Sequence, residues 1–297
     1  MPSPYGTTML YGIFGYPIGH SLSPLMHNTA FTYHGMDAMY LPFAVHPTQV
    51  EDAVKAIAAL HIQGVNVTIP HKQAVMPWLD TLSPEASLIG AVNTIHLQDG
   101  RLHGHNTDGI GFLRSLEEAA GEVAGRTVLL VGAGGAARAV AVQLCLSGIH
   151  RLYLTNRTPT RAEELATFLK QHLPHTDTSV VAMDVSSLAA SLSDTDIIVN
   201  ATAIGMHPDD PMVLPIAALH SQHLVCDIVY RPLQTVLLRT AQQQGARVVD
   251  GLGMLLHQGA KAFEIWTGQS FPMPLIRARL LDALAEQPIA GRPPAQE

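Results

Sequence analysis

Hydrophobic and polar positions follow two different periods along the chain, one typical of strands and one typical of helices. Residues 128–131, VLLV, form a short continuous apolar run, which is typical of a parallel strand covered on both faces. Residues 47–60 instead repeat apolar side chains at Val50, Val54 and Ile57, on one face of a helix. Segments of these two kinds alternate over most of the chain, so the sequence predicts the α/β fold class.

The first hundred residues predict an N-terminal open α/β domain. Strands are expected at 9–15, 39–45 and 64–69, and helices from 23 to about 35 and at 47–60. Ser23 is expected to cap the first helix with its hydroxyl, with Pro24 in the first helical position. A further short strand is expected at 89–94, before a hairpin turn at Asp99 and Gly100.

The second half predicts a doubly wound parallel sheet. Strands are expected near 127–131, 151–155, 179–182, 196–200 and 224–229, alternating with helices, and two further helices at 254–267 and 275–285. A chain of 297 residues is long enough for two domains, each with its own core. We therefore predict a two-domain protein, with 1–110 and 246–297 in one domain and 111–245 in the other.

A glycine-rich turn directly follows the apolar run at 128–131. Gly132, Gly134 and Ala137 occupy the first, third and sixth positions of G-x-G-x-x-G/A. Small residues there allow a tight turn, close approach to a pyrophosphate, and packing of the helix on the strand. Free N–H groups at the start of the helix would bind the phosphates. The alternative is a turn that only joins a strand to a helix.

The end of the next strand distinguishes between two nicotinamide cofactors. NAD sites usually place Asp or Glu about 20 residues after the glycine turn, whereas an Arg accommodates a 2′-phosphate. This chain carries Asn156, Arg157 and Thr158 there, with Arg161 one helical turn later. The two guanidinium groups suit phosphate oxygens, so the sequence predicts a Rossmann-type domain that binds NADP. The alternative is a pair of solvated arginines at the start of a surface helix.

Composition and charge argue against several other classes of protein. The chain is 47% hydrophobic and 14% charged, with a net charge of −7, so nucleic acid and anionic membranes are not expected partners. The most apolar window, 128–149, is interrupted by glycines and Arg138 and predicts no membrane span. Cys145 and Cys226 are expected to be buried free thiols of a cytoplasmic protein. The 16 histidines lack zinc-ligand spacing, so no metal site is expected.

Two residues are candidates for proton transfer to a substrate oxygen. Lys72 follows the strand at 64–69, at the end where open α/β sheets bind ligands. Asp108 stands near a helix N-terminus, which favours its ionised form. An ammonium group beside a carboxylate can protonate a ketone oxygen and act as the base in the reverse direction. The alternatives are a surface lysine and a capping aspartate.

Blocks of residues across nearly the whole chain resemble the shikimate dehydrogenase family. They are GYPIGHSLSPLMHN (15–28), GVNVTIPHK (64–72), IGAVNT (89–94), HNTDGIGF (105–112), GAGGAARA (132–139), NRT (156–158), NATAIGM (200–206), DIVYRP (227–232) and GLGMLLHQGAKAFEIWTG (251–268). The resemblance implies reversible NADPH-dependent reduction of 3-dehydroshikimate to shikimate, a step of chorismate and aromatic amino acid biosynthesis. It also implies that 1–110 with 246–297 bind the substrate and that 111–245 bind NADP.

The same resemblance implies a role for individual residues. Lys72 is the implied catalytic acid and base, with Asp108 as its partner. The implied substrate-binding residues are Ser21, Ser23, Asn66, Thr68, Asn93, Asp108, Tyr230 and Gln258. The implied cofactor-binding residues are Gly132, Ala133, Gly134, Gly135 and Ala136 at the pyrophosphate, Asn156, Arg157, Thr158 and Arg161 at the adenosine phosphate, and Thr202, Ile228, Gly251 and Met254 at the nicotinamide. Capping or packing remains the alternative for Ser21, Ser23, Tyr230, Gln258 and Met254.

Two other functions stay open on the sequence alone. One is a quinate/shikimate dehydrogenase of broader specificity that uses NAD, against which Arg157 argues. The other is a non-catalytic NADPH-sensing homologue, which would not need the pair Lys72 and Asp108. In each case we expect a small-molecule ligand and a monomer or homodimer.

Overall fold

The computed structural model describes residues 4–286, which divide into two compact units. The first unit comprises 4–107 and 258–286, and the second comprises 108–257. Each unit contains one six-stranded sheet flanked by helices. The predicted α/β class is confirmed. The predicted division by function remains a prediction, and its last part, 287–297, lies outside the described residues.

The helices and strands alternate along most of the chain. Up to residue 107 they are β1 (Met9–Gly15), α1 (Ser23–Tyr33), β2 (Ala38–Ala44), α2 (Val50–Ala59), β3 (Ile62–Val67), β4 (Thr81–Leu82), α3 (Pro84–Ile89), β5 (Thr94–Gln98) and β6 (Arg101–His105). They continue with α4 (Asp108–Ala120), β7 (Thr127–Val131), α5 (Gly135–Leu146), β8 (Arg151–Thr155), α6 (Pro159–His172), β9 (Asp177–Val180), α7 (Val185–Leu192), β10 (Ile197–Asn200), β11 (Leu224–Asp227), α8 (Val236–Gln243), β12 (Arg247–Val249), α9 (Gly251–Thr267) and α10 (Met273–Glu286). No described helix has both the length and the apolar composition needed to cross a membrane.

The sheet of the first unit is mixed, and its strand directions bring several chain segments to one edge. The strand order is β2-β1-β3-β5-β6-β4, with β1 parallel to β2 and β3. Strand β5 runs antiparallel to both β3 and β6. The carboxyl ends of β1, β3 and β6 and the amino end of β5 therefore lie at the same edge of the sheet.

The sheet of the second unit is entirely parallel. Its order is β12-β11-β10-β7-β8-β9, which is the order of a doubly wound dinucleotide-binding sheet. Every residue of β7 is buried, as the apolar run at 128–131 predicted. Strand β7 lies between β8, which follows it in the chain, and β10, so the strand order reverses at β7. A ligand-binding crevice is expected beyond the carboxyl ends of β7 and β10, where this reversal occurs.

Two local predictions in the first unit are wrong. Ser23 does not cap α1, because it is the first helical residue and Leu22 holds the capping position. Ser23 is buried, with 6% of its surface exposed. Its own N–H lies 3.3 Å from the hydroxyl of Ser21, which accepts it.

The second wrong prediction is the strand at 89–94. The segment instead begins with the end of α3, whose N-terminus is capped by Ser83 through a 3.1 Å bond from the N–H of Ala86. Gly90 ends the helix in the left-handed region, with φ of 71°. Within the segment only Ile89 is helical, residues 90–93 connect α3 to β5, and β5 begins at Thr94. The hairpin turn is confirmed, with positive φ at Asp99 and Gly100.

A fully buried histidine lies in the core of the first unit. The ring of His27 stacks on Tyr40 at a centroid distance of 4.6 Å and lies 5.2 Å from the ring of Trp266. Burial lowers the pKa of His27 to about 3. The imidazole is therefore neutral in the folded protein at neutral pH, whereas in the unfolded chain it titrates near its ordinary value.

We expect this histidine to make the fold less stable as the pH falls. Between about pH 6.5 and the depressed pKa, only the unfolded chain binds the proton, so the free energy of unfolding decreases by about 1.4 kcal/mol per pH unit. Urea unfolding of wild type and His27→Phe at pH 7 and pH 5 tests this. The variant should lose part of the pH dependence, while His175→Phe, at an exposed position, should keep it. Equal slopes for wild type and His27→Phe would contradict the assignment.

Candidate active site

Most residues expected to bind the substrate lie at the common strand edge of the first unit. Ser21 and Ser23 follow β1, and Thr68 and Lys72 follow β3. Asn93 immediately precedes β5. The predicted hydroxyl, amide and ammonium groups thus come from three segments that are distant in sequence and meet at one edge of one sheet.

A buried hydrogen-bond chain holds the two amides at this edge. Asn66 donates from Nδ2 to the carbonyl oxygen of Asn93 at 3.2 Å and to Oγ1 of Thr94 at 3.1 Å. Oδ1 of Asn66 accepts a 2.7 Å bond from the hydroxyl of Tyr40. Oδ1 of Asn93 accepts a 2.7 Å bond from the N–H of Thr107, and its Nδ2 donates to Thr107 Oγ1 at 2.9 Å.

Tyr40 and Thr107 are residues that the sequence reasoning missed. Both are almost completely buried. Thr107 lies in the block HNTDGIGF, so the polar run was visible, but nothing in it indicated a bond to Asn93. Tyr40 lies in β2, outside every block on which the resemblance rests.

The segment that carries Lys72 is anchored on both sides. Its carbonyl oxygen accepts a 2.8 Å bond from the N–H of Val92. The preceding residue, His71, is buried, and its Nε2 lies 2.7 Å from the carbonyl oxygen of Val45. The side chain of Lys72 is half-buried. The backbone of the candidate acid and base is thus fixed to its own unit.

Two of the predicted substrate-binding residues belong to the second unit. Asp108 is buried and begins α4, at the helix end where a carboxylate is stabilised. Tyr230 follows β11, and burial raises the pKa of its phenol. Gln258, by contrast, belongs to the first unit, where it lies in α9 and is half-buried.

The glycine turn of the second unit has the geometry of a phosphate cradle. Gly132 adopts φ of 115°, and a Cβ built on it would lie 2.9 Å from the carbonyl oxygen of Ala201. Gly134 and Gly135 start α5, and no side chain among the described residues caps this helix. Apart from the chain neighbours and the backbone of α5 itself, no described atom lies within 4 Å of a Cβ built on either. The first turn of α5 thus offers N–H groups to open space, which fits a pyrophosphate.

The predicted adenosine-phosphate residues form one turn at the end of β8. Asn156 donates from Nδ2 to the carbonyl oxygen of Thr158 at 2.8 Å, and α6 begins at the next residue. The N–H of Arg161 donates to the same oxygen at 3.2 Å. Arg157 and Arg161 are both exposed. Two guanidinium groups at one exposed turn fit a 2′-phosphate.

Three of the residues predicted to line the nicotinamide pocket lie close together. The N–H of Ile228 donates to the carbonyl oxygen of Asn200 at 3.1 Å. Thr202 donates to Oδ1 of the same asparagine, from its N–H at 3.1 Å and from its hydroxyl at 2.7 Å. A Cβ on Gly251 would overlap the carbonyl of Ile228, so only glycine fits there. Met254 is half-buried and lies one turn further along α9.

A buried carboxylate supports these loops, and the sequence reasoning did not single it out. Asp227 accepts from Asn200 Nδ2 at 3.0 Å and from the N–H of Val229 at 3.0 Å through Oδ1. Its Oδ2 accepts a 2.8 Å bond from the hydroxyl of Thr235. Burial raises the pKa of Asp227, and these hydrogen bonds oppose that effect. The carboxyl ends of β10 and β11 are thus joined through their last side chains.

Comparison with known proteins identifies the family. Residues 13–95 match the model of the shikimate dehydrogenase substrate binding domain, and 114–208 match the model described as shikimate / quinate 5-dehydrogenase. Residues 251–281 match the shikimate 5'-dehydrogenase C-terminal domain. The chain is also 49% identical over 277 residues to a shikimate dehydrogenase (NADP(+)) of Desulforamulus reducens, across 92% of this chain and 94% of that protein. The chain belongs to the shikimate dehydrogenase family.

Solved structures of family members have the same fold. One is the shikimate 5-dehydrogenase of Listeria monocytogenes in complex with shikimate and NAD, with a TM-score of 0.90 and 39% identity, covering 94% of this chain and 99% of that one. A shikimate dehydrogenase in complex with NADP+ gives a TM-score of 0.89 and 40% identity, covering 95% and 98%. The predicted doubly wound, two-domain fold is therefore confirmed.

We expect Asp227→Ala to destabilise the second unit strongly. The substitution removes the acceptor of three buried donors, on Asn200, Val229 and Thr235, at a cost of about 3 kcal/mol. Thermal and urea unfolding would measure the loss, with Asp209→Ala, at an exposed position, as the matched control. Asp227→Asn keeps one acceptor oxygen and should fall between the two. Stability equal to the control would show that the carboxylate does not hold these loops.

Proposed function

We propose that this chain catalyses the reversible NADP-dependent reduction of 3-dehydroshikimate to shikimate in chorismate and aromatic amino acid biosynthesis. Membership of the family supports this, since relatives 40–49% identical over more than nine tenths of the chain are named shikimate dehydrogenase (NADP(+)). The observation that carries the proposal is the single strand edge of the first unit, where Ser21, Asn66, Asn93 and Lys72 come together. These groups suit a small polyhydroxylated ligand with one reacting oxygen.

The proposal assigns most of the substrate contacts to residues 1–110 with 246–297, and most of the NADP contacts to 111–245. Ser21, Ser23, Asn66, Thr68, Asn93, Tyr230 and Gln258 would hold the hydroxyl and carboxylate oxygens of the substrate. The glycine turn from Gly132 to Ala136 would hold the pyrophosphate, and Arg157 with Arg161 the adenosine phosphate. Thr202, Ile228, Gly251 and Met254 would form the wall beside the nicotinamide ring.

Proton transfer is assigned to Lys72, with Asp108 as its partner. When bound, NADPH supplies the hydride for the carbonyl carbon of the substrate. Lys72 then delivers the proton to the carbonyl oxygen from its ammonium group, and the neutral amine takes a proton back in the reverse direction. Asp108, at the start of α4, is the carboxylate that the proposal pairs with the amino group of Lys72.

Other properties predicted from the sequence remain predictions. A cytoplasmic location and a monomeric or homodimeric state belong to this group. So does the preference for shikimate over quinate, because one of the matching family models covers dehydrogenases of both substrates.

The choice of substrate and cofactor is tested by initial rates with shikimate or quinate, each with NADP or NAD. We expect turnover mainly with shikimate and NADP. Arg157→Gln should raise the KM for NADP about tenfold or more, since it removes a charged contact to the 2′-phosphate, and should leave the KM for NAD unchanged. Arg126→Gln, another exposed arginine of the same unit, is the control. Comparable rates with quinate and NAD would favour the broader enzyme.

The catalytic assignment is tested by Lys72→Ala. Turnover should fall about 10²- to 10⁴-fold, as for the loss of a general acid, while NADPH binding measured by fluorescence stays unchanged. Lys55→Ala, which removes an exposed lysine of the same unit, should retain activity. A wild-type protein that binds NADPH and turns over no shikimate would instead be the sensing homologue.

A further inference from the structure

The sequence block that carries Ser21 and Ser23 ends in two residues to which the proposed function gives no role. These are His27 and Asn28, on the first turns of α1. Both contact the same residue of the neighbouring strand, Tyr40. The ring of His27 lies against the ring of Tyr40, with an angle of 17° between the two planes.

Asn28 holds the backbone of Tyr40 from the open side of the sheet. Strand β2 is at the edge of its sheet, so one side of its backbone has no neighbouring strand. Asn28 donates from Nδ2 to the carbonyl oxygen of Tyr40 at 2.9 Å, and its Oδ1 accepts from the Tyr40 N–H at 2.8 Å. One side chain thus replaces a strand partner at one residue.

The hydroxyl of Tyr40 hydrogen-bonds to one of the residues at the proposed substrate-binding edge. Tyr40 is completely buried, and its register partner in β1 is Tyr11. The hydroxyl donates to Oδ1 of Asn66, two strands away, at 2.7 Å. A buried donor that reaches across one strand to a single acceptor fixes where that acceptor points.

This contact decides which way round the amide of Asn66 lies. An amide has a donor end and an acceptor end, and rotating it by half a turn exchanges them. The Tyr40 hydroxyl and the two acceptors on Asn93 and Thr94 together select one orientation. Both amide hydrogens are then used inside the protein, so in this orientation Asn66 can serve a ligand only through its carbonyl oxygen, as the acceptor of a ligand hydroxyl.

We propose that Tyr40 is a positioning residue for substrate binding, which acts by orienting the amide of Asn66, and that His27 and Asn28 hold Tyr40 for this purpose. The inference rests on the proposed function, because it assigns the oriented amide to the substrate. Tyr40 itself need not touch the substrate. Its effect should therefore be transmitted through Asn66, the residue to which its hydroxyl donates.

A double-mutant cycle tests this transmission. Tyr40→Phe removes only the hydroxyl and should lower kcat/KM for shikimate about tenfold, the effect of one lost hydrogen bond, with the KM for NADP unchanged. In the Asn66→Ala background the same substitution should lower kcat/KM for shikimate by less than about threefold, because the amide that the hydroxyl orients is absent. A merely structural role would give the same factor in both backgrounds.

Tyr11→Phe is the matched control, since it removes a hydroxyl from the adjacent buried tyrosine, whose ring packs on Phe31 and Trp266. It should leave kcat/KM for shikimate within about twofold of wild type, below the effect of one hydrogen bond. If Tyr40→Phe does not fold, Asn28→Ala replaces it in the cycle, with the same direction expected. Full activity of Tyr40→Phe beside an active wild type would overturn the inference alone, whereas an inactive wild type would overturn the proposed function and the inference with it.

Discussion

Buried amides that must be hydrogen-bonded determine the shape of the first unit's ligand edge. A buried donor or acceptor without a hydrogen-bond partner lowers the stability of the fold by about 1–3 kcal/mol, so arrangements in which every such group is bonded are favoured. Asn66, Asn93 and Thr107 complete their bonds with one another, across β3, β5 and the segment after β6. These hydrogen bonds satisfy the buried polar groups and also fix the positions of the side chains at the edge of the sheet. The directions of β3, β5 and β6 bring the three segments to that one edge.

The second unit meets the same requirement with a carboxylate. Asp227, the last residue of β11, accepts a hydrogen bond from Asn200, the last residue of β10. Asn200 in turn accepts a hydrogen bond from the hydroxyl of Thr202 and so holds that residue in place. The glycine turn after β7 is built differently, because Gly134 and Gly135 present main-chain groups and open space rather than side chains. If the proposed cofactor site is right, a side-chain network would hold the residues beside the nicotinamide ring, where position matters to ångström precision, and the backbone would bind the phosphates, where charge and access matter more.

The sequence sufficed for features that depend on local pattern. The buried strand β7 and the glycine turn follow from an apolar run and from small residues, and each lies where the pattern indicated. Ser23 was misplaced because serine's preference for capping is a local tendency, and here Leu22 takes the capping position instead. The segment at 89–94 failed because a short apolar run does not distinguish a strand from the end of a helix.

Supporting residues could not be predicted, because their role depends on strand register. Tyr40 and Asn66 are 26 positions apart and contact each other only when β1 lies between their strands. Asn200 and Asp227 are 27 positions apart and meet only because β10 and β11 are neighbours. Ligand-contacting residues carry a recognisable chemical type, whereas a tyrosine or aspartate that orients another side chain looks in sequence like any core or loop residue. Identifying such supporting residues therefore requires the order of the strands in the sheet. Their contribution to stability depends on how deeply they are buried, and the sequence pattern does not show which polar residues are buried.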